Sequence, residues 1–174
     1  MQNIEMKTEL RDLAIARMQC RMLNATRVGE FVQRDTCFHL NDGRLKRRVT
    51  RGLPVEWIYY HRPDRSRACL CNYSILTEDE ARRRWNPEDL IPWVSVAKVR
   101  ELWLLDSVRI HLDRINGLGN YIEFEARISR QFDVEACHRK LDILRRSFLM
   151  VTGELISVSY SDLLALRQGL PPAA

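Results

Sequence analysis

Alternation is the feature that most constrains this chain. From Val108 to Asp113 every second residue is apolar, and the residues between are Arg109, His111 and Asp113. Ile122 to Ile128 repeats the pattern with Glu123, Glu125 and Arg127. Successive side chains of a β-strand point to opposite faces, so each stretch reads as a strand with one apolar and one charged face. Ile4–Lys7 places Glu5 and Lys7 together in the same way, and Arg44, Lys46 and Arg48 share a face although Arg47 interrupts the pattern. Further strands are expected over Phe31–Leu40, Val55–Arg62, Arg67–Ile75 and Val96–Leu105, about eight in all. Lys98 and Arg100 point the same way on one of them.

Asn41-Asp42-Gly43 and Asn116-Gly117-Leu118-Gly119-Asn120 supply turn chemistry between strands. Three segments break the alternation and read as helices. Leu13, Ala16, Cys20 and Leu23 fall on one helical face; Thr77-Glu78-Asp79-Glu80 is a capping box opening a short helix to Trp85, with Pro87 as its stop; and Phe132–Met150 carries Val134, Cys137, Leu141, Leu144 and Phe148 at helical spacing. The order implies an α+β fold dominated by an antiparallel sheet. One domain is expected over residues 1–168, with 169–174 as a frayed tail.

Two sheets fit these faces. One is open and half exposed, charged side out. The other is curled on itself, with charges lining the interior and helices covering an apolar outside, which leaves no strand edge free. In the second, Lys7, Arg44, Lys46, Arg48, Lys98, Arg100 and Arg109 converge as a cationic lining, and Glu5, Asp113, Glu123 and Glu125 as a carboxylate group. Arginine forks and lysine ammoniums suit phosphate oxygens, and hard carboxylate ligands suit Mg²⁺ or Mn²⁺. Together they fit a metal–polyphosphate complex.

Composition narrows the classes further. Seven Gly and six Pro against 29% charged and 45% hydrophobic residues exclude a collagen-like or disordered chain. No apolar run approaches the roughly 18 residues of a membrane span, and the N-terminus lacks the apolar core and cleavage site of a signal peptide. Five cysteines without a CxxC spacing read as free thiols of a reducing cytoplasm rather than a zinc site. A net charge of +5 permits a polyanionic partner. Arg82-Arg83-Arg84 reads as a solvated helix face, so nucleic acid is not the expected partner, and the four tryptophans read as core or rim residues. GxxxxGK[ST] is absent, which leaves phosphate handling to side chains.

The motifs and their order resemble one family. Ile4-Glu5-Met6-Lys7, Gln33-x-Asp35-Thr36, Gly43-Arg44-Leu45-Lys46, Lys98-x-Arg100-Glu101-Leu102, Arg109-Ile110-His111-Leu112-Asp113, Gly117-Leu118-Gly119, Glu123-x-Glu125 and Ser159-Tyr160-Ser161-Asp162-Leu163-Leu164 are similar to the CYTH proteins, in particular the branch resembling class IV adenylyl cyclases. The resemblance spans roughly residues 3–165. It implies a closed eight-stranded antiparallel barrel, the triphosphate tunnel, with flanking helices, and Mg²⁺- or Mn²⁺-dependent chemistry on a nucleoside triphosphate or inorganic polyphosphate. It also implies phosphate contacts from Arg48, Lys98 and Arg100, with Lys46 and Arg109 on the same lining. The family's carboxylate-x-carboxylate-x-lysine signature falls on Asn3, Glu5 and Lys7, so an amide stands at its first position. Tyr60 stands near the point where many members carry a lysine, with Arg62 beside it. Cyclisation of ATP and hydrolysis of a triphosphate would use the same parts, with Lys7 assisting deprotonation if it sits among cations. A nucleotide-binding module without catalysis is the alternative, and an RNA-end processing factor a weaker one. His111 suits either a structural or an acid–base role, and a homodimer is compatible with the sequence.

Overall fold

The computed structural model describes residues 1–64 and 67–171. Its elements are β1 (Gln2–Leu10), α1 (Leu13–Met22), β2 (Thr26–His39), β3 (Arg44–Thr50), β4 (Glu56–His61), β5 (Cys69–Leu76), α2 (Glu78–Arg84), β6 (Pro92–Leu105), β7 (Val108–Ile115), β8 (Gly119–Arg127), α3 (Val134–Ser147), β9 (Thr152–Leu155) and α4 (Tyr160–Arg167). The strands follow the order β5-β4-β3-β2-β6-β7-β8-β1-β9, and β1 also pairs with β5, so eight antiparallel strands close into a barrel. β1 makes that closure with its first half, from Gln2 opposite Asn72 to Glu5 opposite Cys69. Beyond Glu5 the same edge is taken over by β9, with Thr8 opposite Leu155 and Leu10 opposite Thr152.

The apolar faces turn outward because the helices give them something to pack against. Ile4, Met6, Ile110, Leu112, Ile122, Phe124 and Ala126 lie in one cluster with Ala16 and Cys20 of α1, Cys137, Leu141 and Leu144 of α3, and Phe148 at its C-cap. α2 covers Phe38, Leu45 and Trp57 through Ala81. Its capping box is formed as the sequence predicts, Thr77 accepting from the Glu80 amide and Glu80 from the Thr77 amide. The charged faces turn inward: Glu5, Lys7, Lys98, Arg100, Asp113 and Glu123 are all buried. Of the two sheets compatible with the sequence, the open half-exposed one is therefore excluded.

Three local readings change. α3 is shorter than Phe132–Met150, because Asp133 caps it by accepting the Ala136 amide. Arg84 stacks over Tyr59 and Trp85, at 4.6 and 4.7 Å from the ring centroids, so the arginine run is only partly a solvated face. β9 and α4 lie where no element was expected. β9 is four residues long, and α4 buries Tyr160, Ser161, Leu164 and Ala165 rather than a single apolar stripe. Leu170 donates its amide to Ala165 and Trp93 donates its indole N–H to Pro171, while residues 172–174 of the expected tail lie outside the described residues.

The antiparallel order sets the two ends of the barrel. β1, β2, β4 and β7 begin at one end, where β3, β5, β6 and β8 finish. α4 closes the other end, with Ser159, Tyr160 and Ser161 facing the interior. Among the described residues no helix is long and apolar enough to cross a membrane.

Candidate active site inside the barrel

The interior holds a cavity of about 510 Å³. Its two walls differ in charge because the strands that build them differ in sequence.

β2, β3 and β6 build the cationic wall around one acid, Asp35. The β2–β3 register sets Asp35 opposite Arg48. Asp35 accepts two hydrogen bonds from the Arg48 guanidinium, at 2.7 and 2.8 Å, and one from Lys98 Nζ at 2.6 Å, with Lys46 Nζ at 3.9 Å. Burial alone would raise the Asp35 carboxyl, but Lys98 and Arg48 overcome that and hold it well below the usual range. Burial lowers Lys98 to about 7; Asp35 opposes the fall and Arg48, Arg100 and Lys46 add to it. Arg100 joins the two walls. It grips Asp113 with two bonds, at 2.7 and 2.6 Å, and reaches Glu123 at 2.9 Å.

β1, β7 and β8 build the acidic wall. Register sets Glu5 opposite Glu125, Lys7 opposite Glu123, and His111 opposite Glu123. His111 Nδ1 lies 3.4 Å from Glu123 and 3.5 Å from Glu125, and one ligand atom from each of the three falls within 4.8 Å of the others. Glu5 pairs with Arg62 at 2.8 Å. Burial raises the Glu5 carboxyl to about 7, helped by Glu123 and Glu125 and opposed by Arg62 and Lys7. Burial would raise Glu123 too, but Lys7, a hydrogen bond with His111, and Arg100 together keep it well below the usual range.

These residues fit a divalent cation. His111, Glu123 and Glu125 converge, and burial together with the charges of Glu123 and Glu125 drives the neighbouring Glu5 toward holding a proton. Beside Glu5 on the same face, the buried Asn3 Oδ1 finds no donor among the described residues. An oxygen-rich set with one imidazole suits Mg²⁺ or Mn²⁺, the nitrogen favouring Mn²⁺.

Of the residues singled out in the sequence, Lys46, Arg48, Lys98 and Arg100 meet on one wall and Glu5, Glu123 and Glu125 on the other. Asp113 does not join the acids: it is fully buried, and its oxygens are engaged by Arg100 and by the Tyr160 hydroxyl at 2.9 Å. Arg109 stands at the open end, 44% exposed and 3.9 Å from Glu125. Arg44 leaves the cavity to bind Asp162 of α4 at 2.5 Å and its N-cap Ser159 at 3.1 Å. Lys7 touches Glu123 at 3.4 Å and lies 4.2 Å over the Tyr160 ring. Lys98 sits close to Arg48, Arg100 and Lys46. Asp35 and Tyr160 were missed as site residues. Asp35 could have been noticed as a lone acid on a strand paired with the basic β3, but only the register shows that it organises Arg48 and Lys98.

The two perturbed groups act on stability with opposite signs in metal-free protein. Glu5 in the folded state holds its proton to about 7 against 4.5 unfolded, so its contribution is full below 4.5 and disappears as pH rises through 7. Lys98 is lowered to about 7 from 10.5, so the unfolded chain binds the extra proton and stability rises from pH 7 to 10.5. In the presence of chelator, Glu5→Gln should flatten the acid-side fall and Lys98→Met the alkaline rise, each by about 1–3 kcal/mol. Calorimetric melting from pH 4.5 to 10 checks this, and variants parallel to wild type at every pH would refute it.

The CYTH domain matches residues 1–150, which hold all eight barrel strands. No curated protein matches the chain. Among solved structures, a Pyrococcus horikoshii protein superposes with a TM-score of 0.76 at 19% identity, covering 92% of this chain and 98% of that one. A candidate adenylate cyclase from Vibrio parahaemolyticus superposes at 0.73 and 16% identity, over 94% and 97% of the two chains. A candidate adenylyl cyclase from Hippeastrum, described as having a dominant triphosphatase activity, superposes at 0.61 and 13% identity, over 97% of each. At these identities the likeness speaks to the fold, and the matched domain speaks to descent. The chain belongs to the CYTH domain family.

Proposed function

We propose that this protein is a divalent-metal-dependent enzyme that cleaves a triphosphate inside its barrel, with water as the nucleophile. The supporting observation is that Lys46, Arg48, Lys98 and Arg100 face Glu5, Glu123, Glu125 and His111 across one cavity. Phosphoryl transfer needs charge neutralised and an in-line geometry held, and side chains on rigid strands supply both. Glu5, Glu123, Glu125 and His111 would hold Mg²⁺ or Mn²⁺, which when bound polarises a phosphoryl oxygen and acidifies water. Arg100, its plane fixed by Asp113, and Arg48, fixed by Asp35, present N–H groups to phosphate oxygens. Tyr160 positions Asp113 and the Lys7 ammonium. Lys98 titrates near neutrality, so an arriving phosphate should draw a proton onto it. The five free, buried thiols agree with a reducing cytoplasm as its setting.

Incubation with tripolyphosphate or ATP and Mg²⁺ or Mn²⁺ should release orthophosphate. Cyclic nucleotide would assign cyclisation instead, and tight binding without turnover a binding module. In calorimetry, Arg100→Ala should weaken tripolyphosphate binding about tenfold to a hundredfold, the loss of one charge-assisted contact. At pH 8 wild-type binding should take up a proton, seen as a dependence of the heat on buffer. Unchanged affinity in Arg100→Ala would remove the cationic wall from substrate binding.

A further inference from the structure

The outer side of β2, β3 and β6 carries an apolar face that α1–α4 leave uncovered. Val32, Val49, Ala97 and Val99 belong to none of the three apolar clusters over which those helices pack. Val32 is 50% and Val49 40% exposed. They line a groove of about 640 Å³ together with Arg34, Arg51 and Arg114. Alternation puts these side chains on the far side of the strands from Asp35, Arg48 and Arg100, outside the barrel.

Register sets the charges around the apolar centre. One row across the strands runs Arg51, Val32, Val99, Arg114: the Arg51 amide donates to the Val32 carbonyl at 3.0 Å, Val32 lies opposite Val99, and Val99 opposite Arg114. In the next row Arg34 lies between Val49 and Ala97. Arg44, Arg47, Arg48 and Arg114 each meet a carboxylate, whereas Arg34 and Arg51 are exposed and meet none among the described residues. Helices frame this window. Arg17 of α1 holds Glu101, two residues beyond Val99, and Glu78 of α2 holds Arg47, two residues before Val49. Four strands, β3, β2, β6 and β7, make the window about 14 Å wide, room for one helix about 10 Å across.

An apolar sheet face is stable under a second layer, and elsewhere on this barrel that layer is a helix. We propose that this face binds an acidic amphipathic helix of another protein. Its apolar residues lie against Val32, Val49 and Val99, and its carboxylates take the forks of Arg34, Arg51 and Arg114. A second copy presenting the same face would set these arginines against one another, so the charges oppose a symmetric dimer. Nucleic acid would use the arginines and leave the valines wet. A bilayer is flat and draws aromatic side chains to its surface, whereas this face is a groove lined by none.

The probes are two designed helical peptides, each with leucines along one face, flanked by glutamates in one and by lysines in the other. Fluorescence anisotropy measures their binding to the full chain. The glutamate peptide should bind at least about tenfold more tightly than the lysine peptide, and its affinity should fall as salt rises. Val32→Thr combined with Val49→Thr keeps the side-chain shape and suits a strand, and should weaken the glutamate peptide about tenfold. Arg34→Glu combined with Arg51→Glu should reverse the preference, so that the lysine peptide binds more tightly. A misfolded variant could not show that gain. No binding of the glutamate peptide, equal binding of both peptides to wild type, or undiminished binding in either double variant would overturn the proposal. Tighter binding of single-stranded RNA than of the peptide, lost on reversing Arg34 and Arg51, would overturn it in favour of nucleic acid. A dimer seen in sedimentation and split by the valine substitutions would overturn it in favour of a second copy.

Discussion

Asp35→Asn should destabilise the protein by about 3–5 kcal/mol, the cost of leaving buried charges without their partner. Asp35 accepts from Arg48 and Lys98 and faces Lys46, and among the described residues Arg48 and Lys98 make no other ion pair with an acid. Its removal leaves the Arg48 guanidinium without its buried acceptor, beside Lys46, and pushes Lys98 further toward its neutral form. In a chain of this length the loss corresponds to roughly 10 °C in melting temperature. Tripolyphosphate should restore much of it, because its oxygens would supply the missing acceptors. A variant melting within about 1 °C of wild type would show that water or rearranged side chains already compensate those cations, and that the wall is not organised by Asp35.

Glu125→Gln should lower Mn²⁺ affinity and turnover by about a hundredfold or more, since even partners one step removed from a metal cost tenfold to a hundredfold when changed. It should do so with little change in stability. Glu125 is only partly buried, and its nearest cation, Arg109, is 3.9 Å away and itself exposed. Glu123→Gln is the contrasting case. Glu123 pairs with Lys7 and Arg100 in a fully buried setting, so its loss should cost stability as well as metal affinity. Metal titration followed by fluorescence, alongside melting of each metal-free variant, separates the two effects. Glu125→Gln with wild-type Mn²⁺ affinity would place the metal, if one binds, away from the acidic wall.

The period-two faces of β1, β7 and β8 were legible in the sequence because alternation is a local property: a residue and its second neighbour share a face whatever the sheet does. From that alone Glu5 joins Lys7, Arg109 joins His111, and Glu123 joins Glu125. The capping box at Thr77 was legible for the same reason, since its partners lie three residues apart. β9 and α4 carried no such signal. β9 exists only because β5 leaves part of the β1 edge uncovered, and α4 is buried on too many sides to show an amphipathic stripe.

What the sequence by itself determined is therefore which side chains travel together along each strand, and that acids and bases of both signs would share the sheet's polar face. Only the tertiary structure decided that this face is the inside, because closure depends on β1 meeting β5, strands separated along the chain by α1, β2, β3 and β4. Register then chose partners across strands. It gave Asp35 to Arg48 and Lys98, took Asp113 from the acids and assigned it to Arg100 and Tyr160, and placed Lys98 among cations. Charge at a distance of a few ångströms in a low-dielectric interior sets what each group can do, and those distances belong to pairings that no local stretch of sequence contains.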